Sequence, residues 1–398
     1  MMSNYYLLLK FGDQVIPLSP AVLRELTIVQ DYNKFLPEIR LRIDDATGIF
    51  THIAPFDSTM NTVYLEFALS QDAPDKNAMT FLVYIREPGS YQSSPATQYD
   101  ITGMMDMDQL FTPDFVRGFS GSVQSNLEGI ATGEFGVDQT NVSMSLNYNL
   151  NLVQPHQTNA QFMNYLKDNL IGSNDEYGYK MFISSLNING GYQTTFICRS
   201  VAEMIKDPIA YKFSLSDVAY EDVNPVFEYY IFDNYKLYGI FGAKQQDYSY
   251  FDFATGTYVE DSDNAQNYTS LSDYFLIDQS DTEDSNTIYA TGRSNDFTPD
   301  FLGRVKANYG NRLAGLTKMW ITTQGLPNAC PGQTIQMFFP HGAGGDNIYS
   351  YQYSGYWLVE RVVHNFGDVF LTKLLLTRHG VDTDKTTTLM PATLKKVT

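Results

Sequence analysis

The stretch GYWLVERVVHNF at residues 355–366, followed after a short turn by VFLTKLLLTR at residues 369–378, carries the strongest structural signal in the chain. Both runs are rich in β-branched, aromatic and long aliphatic residues, which favour extended strands. Asn365, Gly367 and Asp368 supply the residue types of a tight turn between the runs. The pattern therefore predicts a β-hairpin.

The first strand of this hairpin carries apolar residues on both of its faces. Successive side chains of a regular strand point to opposite sides of the sheet. Alternation places one set on each face, with Trp357, Val359 and Val363 on one side and Tyr356, Leu358 and Val362 on the other. We therefore expect other parts of the protein to cover both faces.

A second turn and strand lie upstream of the hairpin. Pro331 and Gly332 have the residue types of a tight turn, and they precede an apolar run at residues 335–339. His364 stands near the end of the first hairpin strand. The order is thus a Pro-Gly turn, a strand, a polar loop, a strand with an aromatic residue, valines and a histidine, and a returning strand.

This order resembles the tube-forming barrel of the tail hub proteins of contractile-tail phages and of the related type VI secretion spike proteins. The signature residues that carry the resemblance are Pro331, Gly332, Ile335, Trp357, Val359, Val362 and His364. The resemblance implies that these residues belong to a barrel wall or to a subunit interface. It also implies two related tube domains, an α+β domain between them and an insertion in the second tube domain.

Composition limits the classes of partner. The chain has 398 residues, which is enough for two or more cores, and its 26 Lys plus Arg against 45 Asp plus Glu give a net charge of −19. So acidic a surface repels phosphate backbones and anionic lipid headgroups. We therefore expect no tight nucleic-acid binding.

Two cysteines, Cys198 and Cys330, show no disulfide or metal-ligand spacing and are expected to be buried free thiols. No segment approaches the 18 or so apolar residues that a membrane-spanning helix needs. The sequence therefore predicts no membrane insertion, and it shows no export signal.

Turn residues divide the first 115 or so residues into seven short strands, a spacing typical of an antiparallel barrel or sandwich. After these strands, the spacing of apolar residues changes to the 3.6-residue period of helices. Ser122 is a predicted N-cap, and Thr158 with Gln161 predicts a capping box for a helix at residues 159–171. A hairpin at residues 179–188 and 192–198 follows, so the middle of the chain is predicted to be α+β.

Strands resume near residue 209 and are interrupted by an acidic insertion. Residues 245–292 contain ten acidic residues and no Lys or Arg, together with eight aromatic residues from Tyr248 to Phe275. A helix is predicted to begin at Thr298, with Pro299 at its first position.

The predicted fold class is mainly β with an α+β portion, built on two tube-forming antiparallel β-barrels. The first tube-type barrel domain comprises residues 1–115, and the α+β domain residues 116–206. The second tube-type barrel domain comprises residues 207–244 and 315–380. The acidic inserted subdomain, which includes the predicted helix, comprises residues 245–314. The C-terminal tail comprises residues 381–398.

Catalytic chemistry finds little support in the sequence. The glycine-rich loop that follows His341 would need a nucleophile elbow, and no Gly-x-Ser-x-Gly is present, so the loop is interpreted as a connection. Acidic pairs, Asp106 with Asp108 and Asp261 with Asp263, are interpreted as solvated faces. The five histidines, His52, His156, His341, His364 and His379, have no ligand spacing. We therefore expect no catalytic, cofactor or metal site.

The leading hypothesis is a structural tail hub of a phage baseplate or related contractile injection machine. The resemblance implies a homotrimeric ring of six barrels that adapts a three-fold spike to a six-fold tail tube and forms part of the DNA channel. Implied partners are the spike protein, tail tube or tube-initiator proteins and other baseplate proteins, in a virion tail assembled in the host cytoplasm. A surface receptor- or glycan-binding β protein of a virion or cell is the alternative, and a hydrolase is the third.

Overall fold

A computed structural model describes most of the chain. The described residues are 5–11, 13–46, 48, 63–69, 78–90, 97–107, 110, 115–144, 149–168, 178–188, 191–215, 222–233, 246–252, 256–263, 275–276, 286–290, 317–339, 353–378 and 381–382. The predicted helix from Thr298 and the loop after His341 lie outside them.

The first seven strands form one antiparallel sheet and match the seven strands predicted from the sequence. They are β1 (Tyr6–Phe11), β2 (Gln14–Pro17), β3 (Leu23–Asp31), β4 (Glu38–Asp45), β5 (Val63–Ala68), β6 (Met79–Ser90) and β7 (Thr97–Met105). Their order in the sheet is β2-β1-β5-β6-β7-β4-β3. Alternate residues such as Leu9, Ile28, Leu41, Leu65 and Phe81 point into a common apolar core.

The middle of the chain is α+β, as its sequence pattern predicts. Its elements are β8 (Phe115–Ser122), α1 (Val123–Gly133), β9 (Gln139–Val142), β10 (Asn149–Gln157), α2 (Asn159–Asp168), β11 (Tyr179–Ile188), β12 (Gly191–Ser200) and α3 (Val201–Met204). β8 pairs with β10, and β11 pairs with β12, which also pairs in parallel with β9.

Two helix starts confirm local predictions. The Ser122 hydroxyl accepts a hydrogen bond from the Ser125 amide at 3.1 Å. At α2 the Gln161 amide donates to Thr158 Oγ1 at 3.2 Å, and the Thr158 amide donates to Gln161 Oε1 at 3.1 Å. These bonds satisfy amides that have no partner within a helix. The described part of α2 ends at Asp168 and buries Phe162, Met163 and Leu166.

The remaining strands complete a second barrel and an inserted sheet. They are β13 (Tyr211–Ser214), β14 (Asn224–Asp233), β15 (Gln246–Asp252), β16 (Thr257–Asp263), β17 (Phe275–Leu276), β18 (Asn286–Ala290), β19 (Thr317–Gln324), β20 (Thr334–Phe338), β21 (Gly355–Phe366), β22 (Phe370–Arg378) and β23 (Val381–Asp382). In the acidic insertion, β16, β15 and β18 form a sheet of their own, while β17 pairs with β23.

The second barrel is closed. Its six strands follow the order β21-β20-β13-β14-β19-β22, and β22 returns to pair with β21. β13 runs parallel to both of its neighbours, whereas the other pairs are antiparallel. The predicted hairpin is thus β21 with β22, and it closes the barrel.

Strict alternation of side chains along β21 places Val363 on the face of Trp357 and Val362 on the opposite face, and this expectation is wrong for both valines. The register of β21 against β22 shifts between Val359 and Arg361, so Glu360 is an extra residue in the strand. Such a bulge reverses the faces of the residues that follow it. Val362 therefore joins Trp357 and Val359 in the barrel core.

One sheet runs from the β1–β7 sheet, which we call the first barrel, into the closed second barrel. Following the pairings from β6 gives the order β6-β7-β4-β3-β21-β22-β19-β14, and every adjacent pair is antiparallel. We call this eight-stranded unit the shared sheet. It joins the two barrels through main-chain hydrogen bonds between β3 and β21.

Candidate assembly surface at the barrel junction

β21 is the strand on which the two barrels meet. Residues 355–358 pair with β20, residues 361–365 pair with β3, and residues 358–366 pair with β22. β22 lies along one edge of β21. On the other edge, β20 pairs with the first part of β21 and β3 pairs with the second part. Trp357, Leu358, Val359, Glu360 and Val362 are all buried, so both faces are covered around the bulge, whereas Tyr356 is 37% exposed.

The bulge turns a carboxylate into the junction. Glu360 is buried, and its carboxylate lies 2.8 Å from Lys318 Nζ on β19. It also accepts hydrogen bonds from Asn33 Nδ2 at 3.1 Å and from the Tyr32 hydroxyl at 3.4 Å. Next to it, Arg361 Nε donates to the buried Asp31 at 2.7 Å. Residues from both barrels therefore share one polar network.

The α+β domain contributes Lys180 to this network. Its Nζ donates to Asn33 Oδ1 at 2.9 Å and lies 5.0 Å from the centre of the Tyr32 ring. Burial lowers the pKa of Lys180 to about 8, although the Glu360 charge opposes that shift. Burial, with the charges of Glu360 and Asp31, raises the pKa of Tyr32 well above its usual value. The junction thus holds a tyrosine that stays neutral and a lysine whose lowered pKa is partly offset by the Glu360 charge.

The Pro-Gly turn of the signature holds the second barrel against the α+β domain. Gly332 has a φ of +81° and donates its amide to the Val359 carbonyl at 2.8 Å. A Cβ at this position would lie 2.9 Å from Met204 Sδ and 3.2 Å from Phe182 Cζ. Glycine is therefore required both by the backbone angle and by the close packing. Pro331 is buried in the same contact.

Four other signature residues lie in the core of the second barrel. Ile335, Trp357, Val359 and Val362 are almost completely buried, and Ile335 pairs directly with Trp357 across β20 and β21. The indole Nε1 donates to the Tyr353 carbonyl at 2.9 Å. The structure thus brings these residues together as barrel wall and core.

The last signature residue, His364, lies where the barrels join. It is buried beside Phe366 and Phe370, and its Nδ1 is 3.4 Å from Thr372 Oγ1. Burial lowers the pKa of His364 from 6.5 to about 4, and a backbone hydrogen bond at Ala329 opposes the shift. The imidazole is therefore neutral at physiological pH.

The burial of His364 makes the junction sensitive to acid. The pKa is lower in the folded chain than in the unfolded chain, so stability falls as the pH drops from 6.5 towards 4. The full shift corresponds to a loss of about 3 kcal/mol. We expect His364→Asn to remove this component when unfolding free energies at about pH 7 and about pH 4.5 are compared. The exposed His156→Asn is the control, and an equal acid loss in both variants would contradict the assignment.

One face of the shared sheet is exposed or partly exposed across both barrels, except at Thr322, which is buried; we call it the open face. Cross-strand partners on this face form a row that runs Leu82, Met104, Glu38, Val29, Val363, Lys373, Thr322 and Glu228. At the β14 end the face holds a groove of about 650 Å³ lined by Tyr229, Tyr230 and Trp320 among others. This open face is therefore a candidate surface for contact with a partner.

The α+β domain packs on the opposite side of the sheet. Gln30 is the cross-strand partner of Val362, a core residue, so it points away from the open face. Its side-chain amide exchanges two hydrogen bonds with the Ser185 backbone on β11, at 3.1 and 3.3 Å. Cys330, also in this contact, is a free buried thiol, as is Cys198. The open face and the α+β domain therefore lie on opposite sides of the barrel pair.

Other candidate chemistry is not assembled within the described residues. They contain no group of three or more metal-ligating side chains. Among the same residues, no helix has the length and hydropathy of a membrane span. His156 is exposed on β10, far in sequence from the junction, whereas His52, His341, His379 and Asp108 lie outside the described residues.

Sequence reasoning missed the polar network around Glu360. The sequence does contain one sign of this network, because the acidic Glu360 directly follows the apolar Leu358 and Val359 in a predicted strand. Its partners Tyr32, Lys180 and Lys318 come from three distant parts of the chain. No local pattern could have connected them.

Comparison with known proteins identifies the fold. The tail protein from Neisseria meningitidis MC58 aligns with 98% of this chain and 100% of its own at a TM-score of 0.57 and 10% identity. The 43 kDa tail protein of prophage MuSo2 from Shewanella oneidensis aligns over 94% of this chain and 98% of its own, with a TM-score of 0.53 and 10% identity.

A third structure shares the fold over part of its length. In the lidded PdpA-VgrG complex of Francisella, a chain aligns with 100% of this one but over 55% of its own length, at a TM-score of 0.51 and 9% identity. The sequence matches no protein-family model and no curated protein. The chain therefore has the fold of these phage tail proteins, as the sequence resemblance predicts.

Proposed function

We propose that this chain is the structural hub of a phage tail baseplate, or of a related contractile injection machine, and that three copies form a ring around the tail axis. Two tail proteins share its fold over nearly the full length of both chains, which supports the tail assignment. The observation that carries the hub proposal is the shared sheet, because it joins two barrels side by side and leaves one face open across both.

Three copies of such a barrel pair give six similar barrels with true three-fold symmetry. A ring of this kind matches a six-fold tail tube on one side and a three-fold spike on the other. Its proposed partners are the spike protein, tail tube or tube-initiator proteins and other baseplate proteins. It would be assembled in the host cytoplasm and reside in the virion tail. The mechanism is symmetry adaptation and involves no bond making.

In this ring the open face of the shared sheet is proposed to line the channel. The α+β domain occupies the opposite side of the barrel pair, where Gln30 contacts Ser185, so it is placed on the outside. Several charges on or beside the open face are already neutralised in pairs, including Lys34 with Glu38 and Arg361 with Asp31. Paired cations contribute little affinity for a passing phosphate backbone.

The ring is expected to be obligate. Obligate interfaces commonly bury about 2,000 Å² or more, and a separated chain would expose the apolar edge of its open face to water. Light scattering at micromolar concentration should therefore give the mass of three chains, and negative-stain images should show a ring with a pore. A folded monomer would refute the hub proposal.

The assembled ring is expected not to retain duplex DNA. Each Lys or Arg contact to a phosphate adds affinity through counterion release, and the chain carries a net charge of −19. A gel-shift titration at physiological salt should show no binding up to micromolar ring. Salt-sensitive retardation at lower concentrations would mean that the channel surface is basic.

The groove on the open face favours a second candidate, a surface receptor- or glycan-binding protein. Tyr229, Tyr230 and Trp320 line it beside Glu228 and Lys373, and its volume of about 650 Å³ is in the range of small-ligand sites. A glycan array probed with the wild-type chain tests this function. Saturable glycan binding by a monomer would favour it over the hub.

A further inference from the structure

Asn33, Lys180 and Glu360 meet at the barrel junction, although they belong to three different domains. Lys180 Nζ donates a hydrogen bond to Asn33 Oδ1 at 2.9 Å. Asn33 Nδ2 donates in turn to Glu360 Oε1 at 3.1 Å. An amine and a buried carboxylate thus contact the two ends of one carboxamide group. These are the three components of an aminolysis reaction, namely a nucleophile, an amide and a group that can carry a proton between them.

The turn between β3 and β4 holds the Asn33 carboxamide in place. The backbone N–H of Asn33 donates to Asp31 Oδ1 at 2.8 Å, and the backbone N–H of Lys34 donates to the Asp31 carbonyl at 3.0 Å. The preceding Tyr32 donates its backbone N–H to the Glu360 carbonyl at 3.0 Å. The carboxamide is therefore presented to Glu360 in one orientation, and such fixed proximity accelerates reaction between neighbouring groups.

Lys180 differs from two neighbouring lysines in the group that it contacts. Lys34 and Lys318 each lie against a carboxylate, at 2.6 and 2.8 Å, whereas Lys180 donates to a neutral amide. Burial lowers the pKa of Lys180 to about 8, partly opposed by the charge of Glu360. About a tenth of this amine is therefore neutral at pH 7, and the neutral amine is the nucleophilic form.

We infer that Lys180 and Asn33 form an intramolecular isopeptide bond after folding, with Glu360 as the proton carrier. The neutral amine attacks Asn33 Cγ, so that a C–N bond forms and the carbonyl electron pair moves to Oδ1. Glu360 takes a proton from Nζ and passes it to Nδ2, from which it already accepts a hydrogen bond. The Cγ–Nδ2 bond then breaks, ammonia leaves, and the electron pair on Oδ1 restores the carbonyl. The products are one secondary amide and one ammonia, and no other reactant is consumed.

The exposed position of Asn33 suits the release of ammonia. Asn33 is exposed whereas Glu360 is buried, so the leaving group passes directly into water and the reverse reaction is suppressed. The bond joins residues that are 147 positions apart and ties the α+β domain covalently to the first barrel. All three residues belong to one chain, so the bond does not depend on the proposed ring. Because Lys180 titrates only in the unreacted chain, its titration is measured before the bond forms.

The mass of the full-length chain, measured by intact-protein mass spectrometry, tests the bond. After incubation at about pH 8, where about half of the Lys180 amine is neutral, the wild-type chain should be lighter than its sequence by one ammonia. Lys180→Arg keeps the positive charge but removes the amine, and Asn33→Ala removes the amide, so both should keep the full mass. Glu360→Gln keeps the side-chain shape and should slow the loss about a hundredfold or more. Lys34→Arg is the matched control, because Lys34 adjoins Asn33 in sequence, and it should lose ammonia as the wild-type chain does.

Tandem mass spectrometry of a tryptic digest locates the bond. The wild-type chain should give a branched peptide that joins the segments containing Asn33 and Lys180. Succinimide formation at Asn33 also releases ammonia, but it leaves linear peptides and persists in Lys180→Arg. A wild-type chain that keeps its full mass, a lighter chain with linear peptides only, or a folded Lys180→Arg chain that still loses ammonia would overturn the inference. Circular dichroism establishes that each variant is folded, and Asn33→Ala serves alone should Lys180→Arg fail to fold.

Discussion

Trp357→Ala is expected to lower the free energy of unfolding by about 3 to 5 kcal/mol, the largest effect of any single truncation considered for this chain. The indole is fully buried in the second barrel, packs against Ile335 and donates a hydrogen bond to the Tyr353 carbonyl. The Arg378 guanidinium also lies 5.0 Å from its ring centre. Its removal leaves a large cavity and an acceptor without its donor.

Urea denaturation followed by circular dichroism measures this loss. The chain concentration must be held constant, because assembly contributes to apparent stability. Trp320→Ala is the matched control, since Trp320 is the other of the two tryptophans and is partly exposed on the open face. Its loss should be no more than about 1.5 kcal/mol. Equal losses in the two variants would contradict the placement of Trp357.

Glu360→Ala is expected to have the second largest effect, about 2 to 3 kcal/mol. Its buried carboxylate binds Lys318, Asn33 and Tyr32, and truncation leaves these polar groups without their shared acceptor. The loss is smaller than for a fully buried pair because about a third of the Lys318 side chain is exposed and therefore screened.

Two further measurements test the role of Glu360. Glu38→Ala removes a surface pair with Lys34 and should cost less than about 1 kcal/mol. Glu360→Ala should also lower the pKa of Lys180 further, because the Glu360 charge now supports the protonated amine. An unchanged Lys180 titration by NMR would show that the two groups are not coupled.

Features that depend on near neighbours were predictable from the sequence. The capping box of Thr158 and Gln161 formed because both residues belong to one helical turn. The β21–β22 hairpin formed because its turn residues separate two strongly β-prone runs. The tube-barrel resemblance was confirmed at the level of fold.

Features that depend on distant partners were not predictable in this way. Alternation along β21 failed at Glu360 because a bulge leaves no periodic trace in the sequence. His364 was expected in a wall or interface, but its partner strand β3 is encoded more than 300 positions earlier. Tyr32 and Lys180 looked like ordinary polar residues until the fold placed them beside one buried carboxylate.

The pairing of β3 with β21 also limits when the two barrels can fold together during translation. Asp31 and Arg361 are separated by 330 positions, and at about 5 to 20 residues per second this interval takes roughly 20 to 70 s. During that time one edge of β3 has been synthesised without its partner and is open to pairing with other nascent chains. The two barrels cannot lock together until β21 has been translated, so a delay before that point gives the unpaired edge of β3 more time to meet neighbouring chains.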